Sequence, residues 1–241
     1  MASTDWTLLE ESLGMPQVDR GVTAGIVRPN GGGDFVYGFN SLELADGAVG
    51  LHASQQGFAP MASGGSIRGA IQRGRSGGPQ NFAPFLFLGL QGQSVNDAAY
   101  LLGLGDDDPH HIVLKKGALT SGLPDLEPAP DSNSVLMRST NAFAPATWLH
   151  LRLDAIVQGS GDVLLQVYQN NLVAHSVTSP VWEVVPGMEG PFAPGFYGFV
   201  DDALGINTGS QPLVGGRAGY GFYTTDTQRR GFFDQIQVGR Q

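Results

Sequence analysis

Cysteine is absent from the 241 residues, which removes disulfides, thiolate metal sites, iron–sulfur clusters and cysteine nucleophiles together. Charged residues are scarce, at 15% against about 25% in ordinary globular domains. What charge there is leans negative, with 22 acidic against 13 basic residues and a formal net charge of −9. Such a field repels phosphate backbones and anionic membrane surfaces, so nucleic acid and membrane insertion are not expected. Long hydrophobic runs are missing too. The most apolar stretch, Phe82 to Leu90 around Phe85-Leu86-Phe87-Leu88, is roughly half of the ~20 residues a spanning helix requires. The opening Met1-Ala2-Ser3-Thr4-Asp5-Trp6 lacks the basic and apolar regions of a secretory signal, and the expectation is a chain made and folded inside a cell.

Glycine, by contrast, is abundant, with 36 residues, about twice the usual share. Apolar residues at 41% are too many for a disordered chain, and the glycines follow no Gly-X-Y period. The profile predicts turn-rich β structure. One helix signal exists, over residues 3 to 13, where Ser3, Thr4 and Asp5 offer caps and Trp6, Leu9 and Leu13 share a face. Gly21, Gly25, Pro29-Asn30 and Gly31-Gly32-Gly33 then break the backbone. Residues 1–34 therefore read as an N-terminal arm and Gly-rich linker, and residues 35–241 as the main domain.

From Phe35 onward short apolar runs alternate with Gly, Pro, Asn and Asp clusters, which predicts thirteen strands, among them Ser66 to Gln72, Phe85 to Leu90, Thr147 to Val157, Val163 to Gln169, Leu172 to Val177 and Gly231 to Val238. Between Thr147 and Val157, Trp148, His150, Arg152 and Asp154 fall on one face, and Leu149, Leu151, Leu153 and Ala155 on the other. So many strands must manage their edges. The expected fold is all-β, a two-sheet antiparallel jelly-roll sandwich with a short N-terminal arm; a propeller is disfavoured because no 40–50-residue repeat is visible. The proline-rich Gly122 to Asp131 reads as a surface excursion.

Thr147-Trp148-Leu149-His150-Leu151-Arg152-Leu153-Asp154, the run Gly161 to Leu172 turning at Asn170-Asn171, Gly219-Tyr220-Gly221-Phe222-Tyr223, and the closing Gly231-Phe232-Phe233-Asp234-Gln235-Ile236-Gln237-Val238 come in the order that resembles concanavalin A-like and laminin-G-like sandwiches. That resemblance implies a jelly roll over residues 35–241, a fold shared by lectins, glycan-binding modules, glucanases and structural domains. Phe35 to Leu42, Ala99 to Leu104 through Ile112 to Gly117, and Phe199 to Gly205 resemble structural proteins of tailed bacteriophages. The second resemblance implies a non-enzymatic virion subunit, a head decoration, collar or tail component, that assembles with copies of itself and other virion proteins. The alternative is a lectin-like module adhering to host-surface glycan, and a distant third is a glycoside hydrolase.

The chemistry-bearing residues are read against these roles. A hydrolase on this fold needs paired carboxylates flanking the scissile bond, and no Glu-x-Asp-x-Glu run occurs; no residue is assigned as catalytic. Gly74-Arg75-Ser76-Gly77-Gly78 matches a nucleophile elbow, but Pro79 follows and no helix begins, so it reads as a loop. Arg68, Arg73 and Arg75 read as a solvated or subunit-contact face. His110 and His111 beside Asp106-Asp107-Asp108 read as an acidic turn, because adjacent strand residues point oppositely. Asp201, Asp202 and Asn207 supply oxygens of the kind calcium takes, although such residues also form turns. Trp182 and Tyr197 lead the aromatic set, with Trp148, Phe196, Tyr220 and Tyr223, from which a glycan-stacking surface would be drawn. His52, His150 and His175 have no recognisable partner spacing and are expected to be structural or surface residues.

Overall fold

The computed structural model describes residues 6–8, 18–24, 35–41, 48–54, 64–74, 82–92, 97–105, 109–118, 135–190, 197–224 and 230–240. In chain order these residues form β1 (Trp6–Leu8), β2 (Val18–Ala24), β3 (Phe35–Ser41), β4 (Ala48–Ser54) and β5 (Gly65–Arg73). Next come β6 (Phe82–Leu90), β7 (Ala98–Leu104), β8 (His110–Ala118), β9 (Val135–Phe143) and β10 (Trp148–Val157). The last five are β11 (Val163–Asn170), β12 (Trp182–Val184), β13 (Phe199–Asp201), β14 (Arg217–Thr224) and β15 (Arg230–Arg240).

They make two antiparallel sheets. Sheet A runs β1-β4-β14-β6-β7-β8-β9, and sheet B runs β12-β11-β10-β5-β15-β3-β2, with β13 added to the outer edge of β11. On that edge β12 pairs with Tyr168–Asn170 while β13 pairs with Val163–Leu165, so two short strands lie end to end along one long one. The expected two-sheet antiparallel jelly-roll sandwich is what forms.

Alternation in β10 sends Leu149, Leu151 and Leu153 inward, where they join Ile67, Ile71 and Phe233 of sheet B against Leu86, Leu88, Leu102 and Leu114 of sheet A. Sheet A is apolar on its other face as well, with Phe85, Phe87, Leu101 and Val113 all fully buried, which is why β6 reads as a continuous apolar run instead of an alternating one. Here glycine serves strands as well as turns. Phe85 stands directly opposite Gly103 on one side and Gly221 on the other, and Phe87 opposite Gly219, so each ring lies over positions with no side chain.

Two local expectations are corrected. Within residues 3 to 13 the chain is strand, not helix, over Trp6–Leu8, which pairs with His52–Ser54. An isolated helix of that length is marginal, and the edge of β4 satisfies the same backbone groups through pairing. Trp6–Leu8 and Val18–Ala24, both in the segment expected as an arm, are edge strands of sheets A and B respectively. Leu172 to Val177 is not the returning strand of a hairpin: the Asn171 carbonyl accepts from the backbone N–H of Ala174 at 3.1 Å and of His175 at 2.8 Å, and the chain coils there before returning as β12. The segments 25–34, 75–81, 106–108, Gly122 to Asp131 and Phe196 lie outside the described residues, as do the side chains of His52 and Tyr223.

β15 carries the one register shift with a functional consequence. Asp234 pairs with Ala70 and Gln237 with Arg68, leaving Gln235 and Ile236 opposite Gly69 alone, with Gln235 at φ 53°. This bulge resets the alternation so that Ile236 turns to the core over Gly69 and Gln237 turns outward. A second backbone constraint precedes β13: Gly198 has φ +124°, and a Cβ there would overlap the carbonyl oxygen of Leu165. Gly198→Ala is expected to cost about 2 kcal/mol or more, read as a lowered midpoint in urea unfolding.

Candidate functional site

Among the described residues, the outer face of sheet B from His150 to Asp154 and across its neighbouring strands is polar, bordered by Trp148 and Phe232. Register places three rows of side chains across it: Trp182, Asn170, His150, Ala70 and Asp234 in the first, Val184, Tyr168, Arg152, Arg68 and Gln237 in the second, and Gln166, Asp154, Ser66 and Gly239 in the third. His150, Asp154, Asn170 and Asp234 are buried, while Tyr168, Arg152, Arg68 and Trp182 are half-buried and Gln237 is exposed. A polar floor therefore lies among aromatic and guanidinium groups that keep access to solvent.

Hydrogen bonds hold that floor in place. Arg152 donates from Nε to Asp154 Oδ1 at 2.7 Å and from Nη2 to Oδ2 at 2.6 Å, a forked pair, while its guanidinium lies 5.6 Å from the centre of the Tyr168 ring. Arg68 donates from Nε at 3.0 Å and Nη2 at 2.5 Å to the same Gln237 Oε1. Asn170 accepts from the Val181 backbone N–H at 3.0 Å and lies 3.2 Å from His150 Nδ1. The Trp182 ring closes on the His150 ring at a centroid separation of 4.7 Å. Burial, assisted by the positive charge of Arg68, lowers the His150 pKa from 6.5 to about 4, so this imidazole is neutral at pH 7.

The two aromatic residues singled out from sequence both sit along the β11 edge of this face. Trp182 stands opposite Asn170. Tyr197 is 44% exposed, and its backbone carbonyl accepts from Gln166 Nε2 at 2.7 Å. Sequence reasoning missed Tyr168, Asn170 and Gln237 and left Arg152 without a role. The alternation of β10 was the available signal for Arg152 and Asp154; Gln237 required the bulge.

Asp201, Asp202 and Asn207 are not drawn to one point. Asp201, at the end of β13, is fully buried and turned inward. Its Oδ2 accepts from the Tyr100 hydroxyl at 2.5 Å and from Lys116 Nζ at 2.7 Å, and its Oδ1 from Thr208 Oγ1 at 2.7 Å. Lys116 also reaches the carbonyls of Ser210 and Gln211 at 2.9 and 2.8 Å, and Tyr100 Oη accepts from the Leu213 N–H at 2.9 Å. Burial, together with the Asp201 carboxylate, pushes the Tyr100 phenol far above its ordinary pKa. Asp202 turns the other way, its oxygens accepting from the backbone N–H groups of Leu204, Ile206 and Asn207 at 3.1, 3.0 and 2.7 Å. The Ile206 and Asn207 bonds lead in holding its carboxyl below the usual range. Asn207 Nδ2 donates to the Val200 carbonyl at 2.9 Å. The carboxylate oxygens of Asp201 and Asp202 are committed to protein donors on opposite sides of the chain, so the three residues do not form one calcium site. Among the described residues no group of three His, Asp or Glu side chains is placed to hold a metal. His110 is buried against Phe143, with ring centroids 6.5 Å apart, whereas His111 Nδ1 meets Arg138 at 2.8 Å; the acidic triplet beside them is not described.

Two outcomes follow. Neutral His150 in the fold and an ordinary imidazole in the unfolded chain mean that the unfolded chain takes up the proton first as pH falls, so stability drops between about 6.5 and 4. NMR titration of the His150 ring should show a midpoint near 4, and a midpoint above 6 would contradict its burial. Lys116→Met leaves the Asp201 carboxylate buried beside two neutral donors, at an expected cost of about 3–5 kcal/mol in urea unfolding, with Lys116→Met/Asp201→Leu recovering part of the loss.

No family model matches the chain, and no curated protein matches it. Among solved structures it is similar to the cellulose induced protein Cip1, with a TM-score of 0.54 and 13% identity over 99% of this chain and 92% of that one. It is similar also to the carbohydrate recognition domain of Emp46p, with a TM-score of 0.50 and 11% identity over 98% and 88% of the two chains. The carbohydrate binding module CBM66 from Bacillus subtilis aligns over 99% and 97% at 10% identity and a TM-score of 0.49. The likenesses to Cip1 and to Emp46p establish the shared jelly-roll fold. The leading expectation from sequence is corrected: the architecture is shared with a carbohydrate recognition domain, that of Emp46p. The assignment as a phage head, collar or tail subunit, with its virion partners and self-assembly, is not supported.

Proposed function

We propose that the protein is a non-catalytic carbohydrate-binding domain whose ligand lies across the outer face of sheet B. The observation that carries this reading is the second row of that face, where Tyr168, Arg152, Arg68 and Gln237 stand side by side at fixed register, with Trp182 and His150 beside them. A sugar ring offers an apolar face and a fringe of hydroxyls, and it is held by aromatic surfaces together with planar hydrogen-bonding groups. Both are present on rigid strands whose rotamers are set by mutual hydrogen bonds, the arrangement that lowers the ordering cost of binding. The same fold serves the carbohydrate recognition domain of Emp46p. Binding is favoured over hydrolysis because the buried carboxylate Asp154 is held in a fork by Arg152, leaving it poorly placed as a general acid.

A glycan array followed by calorimetry tests the reading. Trp182→Ala and Tyr168→Ala should each weaken binding of an array-positive oligosaccharide tenfold or more, about 1.4 kcal/mol. The calcium chelator EDTA should leave affinity unchanged. Silence across the array, or full affinity in both variants, would remove the reading.

A further inference from the structure

The second row of the sheet B face contains a conflict. Arg152 and Arg68 stand directly opposite each other on β10 and β5, a placement that brings their Cβ atoms to about 5 Å and sets like charges together. One carboxylate serves the pair: Asp154 is taken in a fork by Arg152. Arg68 has Gln237 as its side-chain partner, an uncharged carbonyl that accepts from two of its nitrogens. Among the described residues, a second carboxylate of the face, Asp234, belongs to the first row, opposite Ala70, and is buried with interactions of its own. His150, which also faces this region, is neutral. Among the described residues, the face therefore presents a half-buried guanidinium whose hydrogen-bond acceptor is uncharged, in a chain whose overall charge is −9. Local rules broken at this cost mark a position held for a ligand.

We infer that Arg68, positioned by Gln237, binds the carboxylate of an acidic sugar, so that the ligand class is an oligosaccharide containing uronic acid. This rests on the proposed glycan-binding role and specifies its ligand. A carboxylate on the ring would supply a counter-charge between Arg68 and Arg152 and accept in-plane hydrogen bonds from a guanidinium edge. The surrounding negative charge does not oppose it strongly at physiological ionic strength, because charges beyond about 8 Å are screened while a contact pair is not. Gln237 reaches Arg68 because the bulge at Gln235 turns it outward, so bulge and subsite form one device.

The experiment is calorimetry of the whole chain with oligomers of galacturonate, mannuronate and glucuronate, each beside its carboxyl-reduced neutral counterpart. At least one acidic oligomer should bind tenfold or more tighter than its reduced form, and Arg68→Gln should bring that ratio to within about threefold of unity. Arg68→Lys, which keeps the charge and loses the planar fork, should retain an intermediate ratio. Because Arg68→Gln also relieves the facing like charges, its urea midpoint should hold or rise; a large fall would show that Arg68 holds the sheet together and overturn the inference. Equal or tighter binding of every reduced oligomer would overturn the inference while leaving the glycan-binding reading intact. Absence of binding to both members of every pair, on a glycan array as well as here, would overturn both.

Discussion

The buried Lys116–Asp201 pair joins the two sheets at the point where the chain passes between them. Lys116 stands on β8 of sheet A, in register with Tyr100 on β7, and both reach across the core to the carboxylate at the end of β13 in sheet B. Removing two charges from water is expensive, and a pair of this kind repays the cost only when the remaining donors and acceptors are also filled. Here they are filled by Thr208 and by the carbonyls of Ser210 and Gln211. The network therefore fixes the crossing from β13 to β14, and that crossing determines where the edge of β11 is covered.

The candidate face inherits its rigidity from this arrangement. β11 is paired on its outer edge by β12 at one end and β13 at the other, so Tyr168 is held from both sides. Trp182 closes over His150 from β12, and the backbone of Tyr197 is tied to Gln166. Inward-facing leucines of β10 bind the sheet to the core while the alternate residues of the same strand, His150, Arg152 and Asp154, carry the polar chemistry. One strand thus links packing to recognition, with a separation of function by face that follows from its two-residue period.

How far all this could be read from residues differs by element. The sandwich, most strand positions from Phe35 onward and the two faces of β10 were legible because alternation and turn chemistry are local signals. The helix expected over residues 3 to 13 was not realised at Trp6–Leu8, since a short local preference yields to an unpaired strand edge that no local pattern reveals. The hairpin expected after Asn170-Asn171 failed for a related reason: the chain coils through 172–181 before Trp182–Val184 returns to β11. Trp182 and Tyr197 were picked out as aromatics suited to sugar, and both lie on the β11 edge of the face. Asp201 and Asp202 looked like oxygen ligands, but adjacent residues at the end of a strand point to opposite sides, one into a buried network and one into a turn.

By itself the sequence determined the class of structure: apolar alternation without cysteine, with abundant glycine and little charge, leaves packed sheets as the way to bury 41% hydrophobic residues. It determined equally that the outward residues of β10 would share one face. Tertiary structure alone decided which residues of other strands join them, because register between strands distant in sequence depends on long-range pairing and on the single extra residue at Gln235. A shift of one residue there would return Gln237 to the interior and leave Arg68 without its partner. The opposition of two arginines, from which the ligand's charge is inferred, is likewise invisible along the chain, where Arg68 and Arg152 belong to separate strands that become neighbours only when β5 and β10 pair.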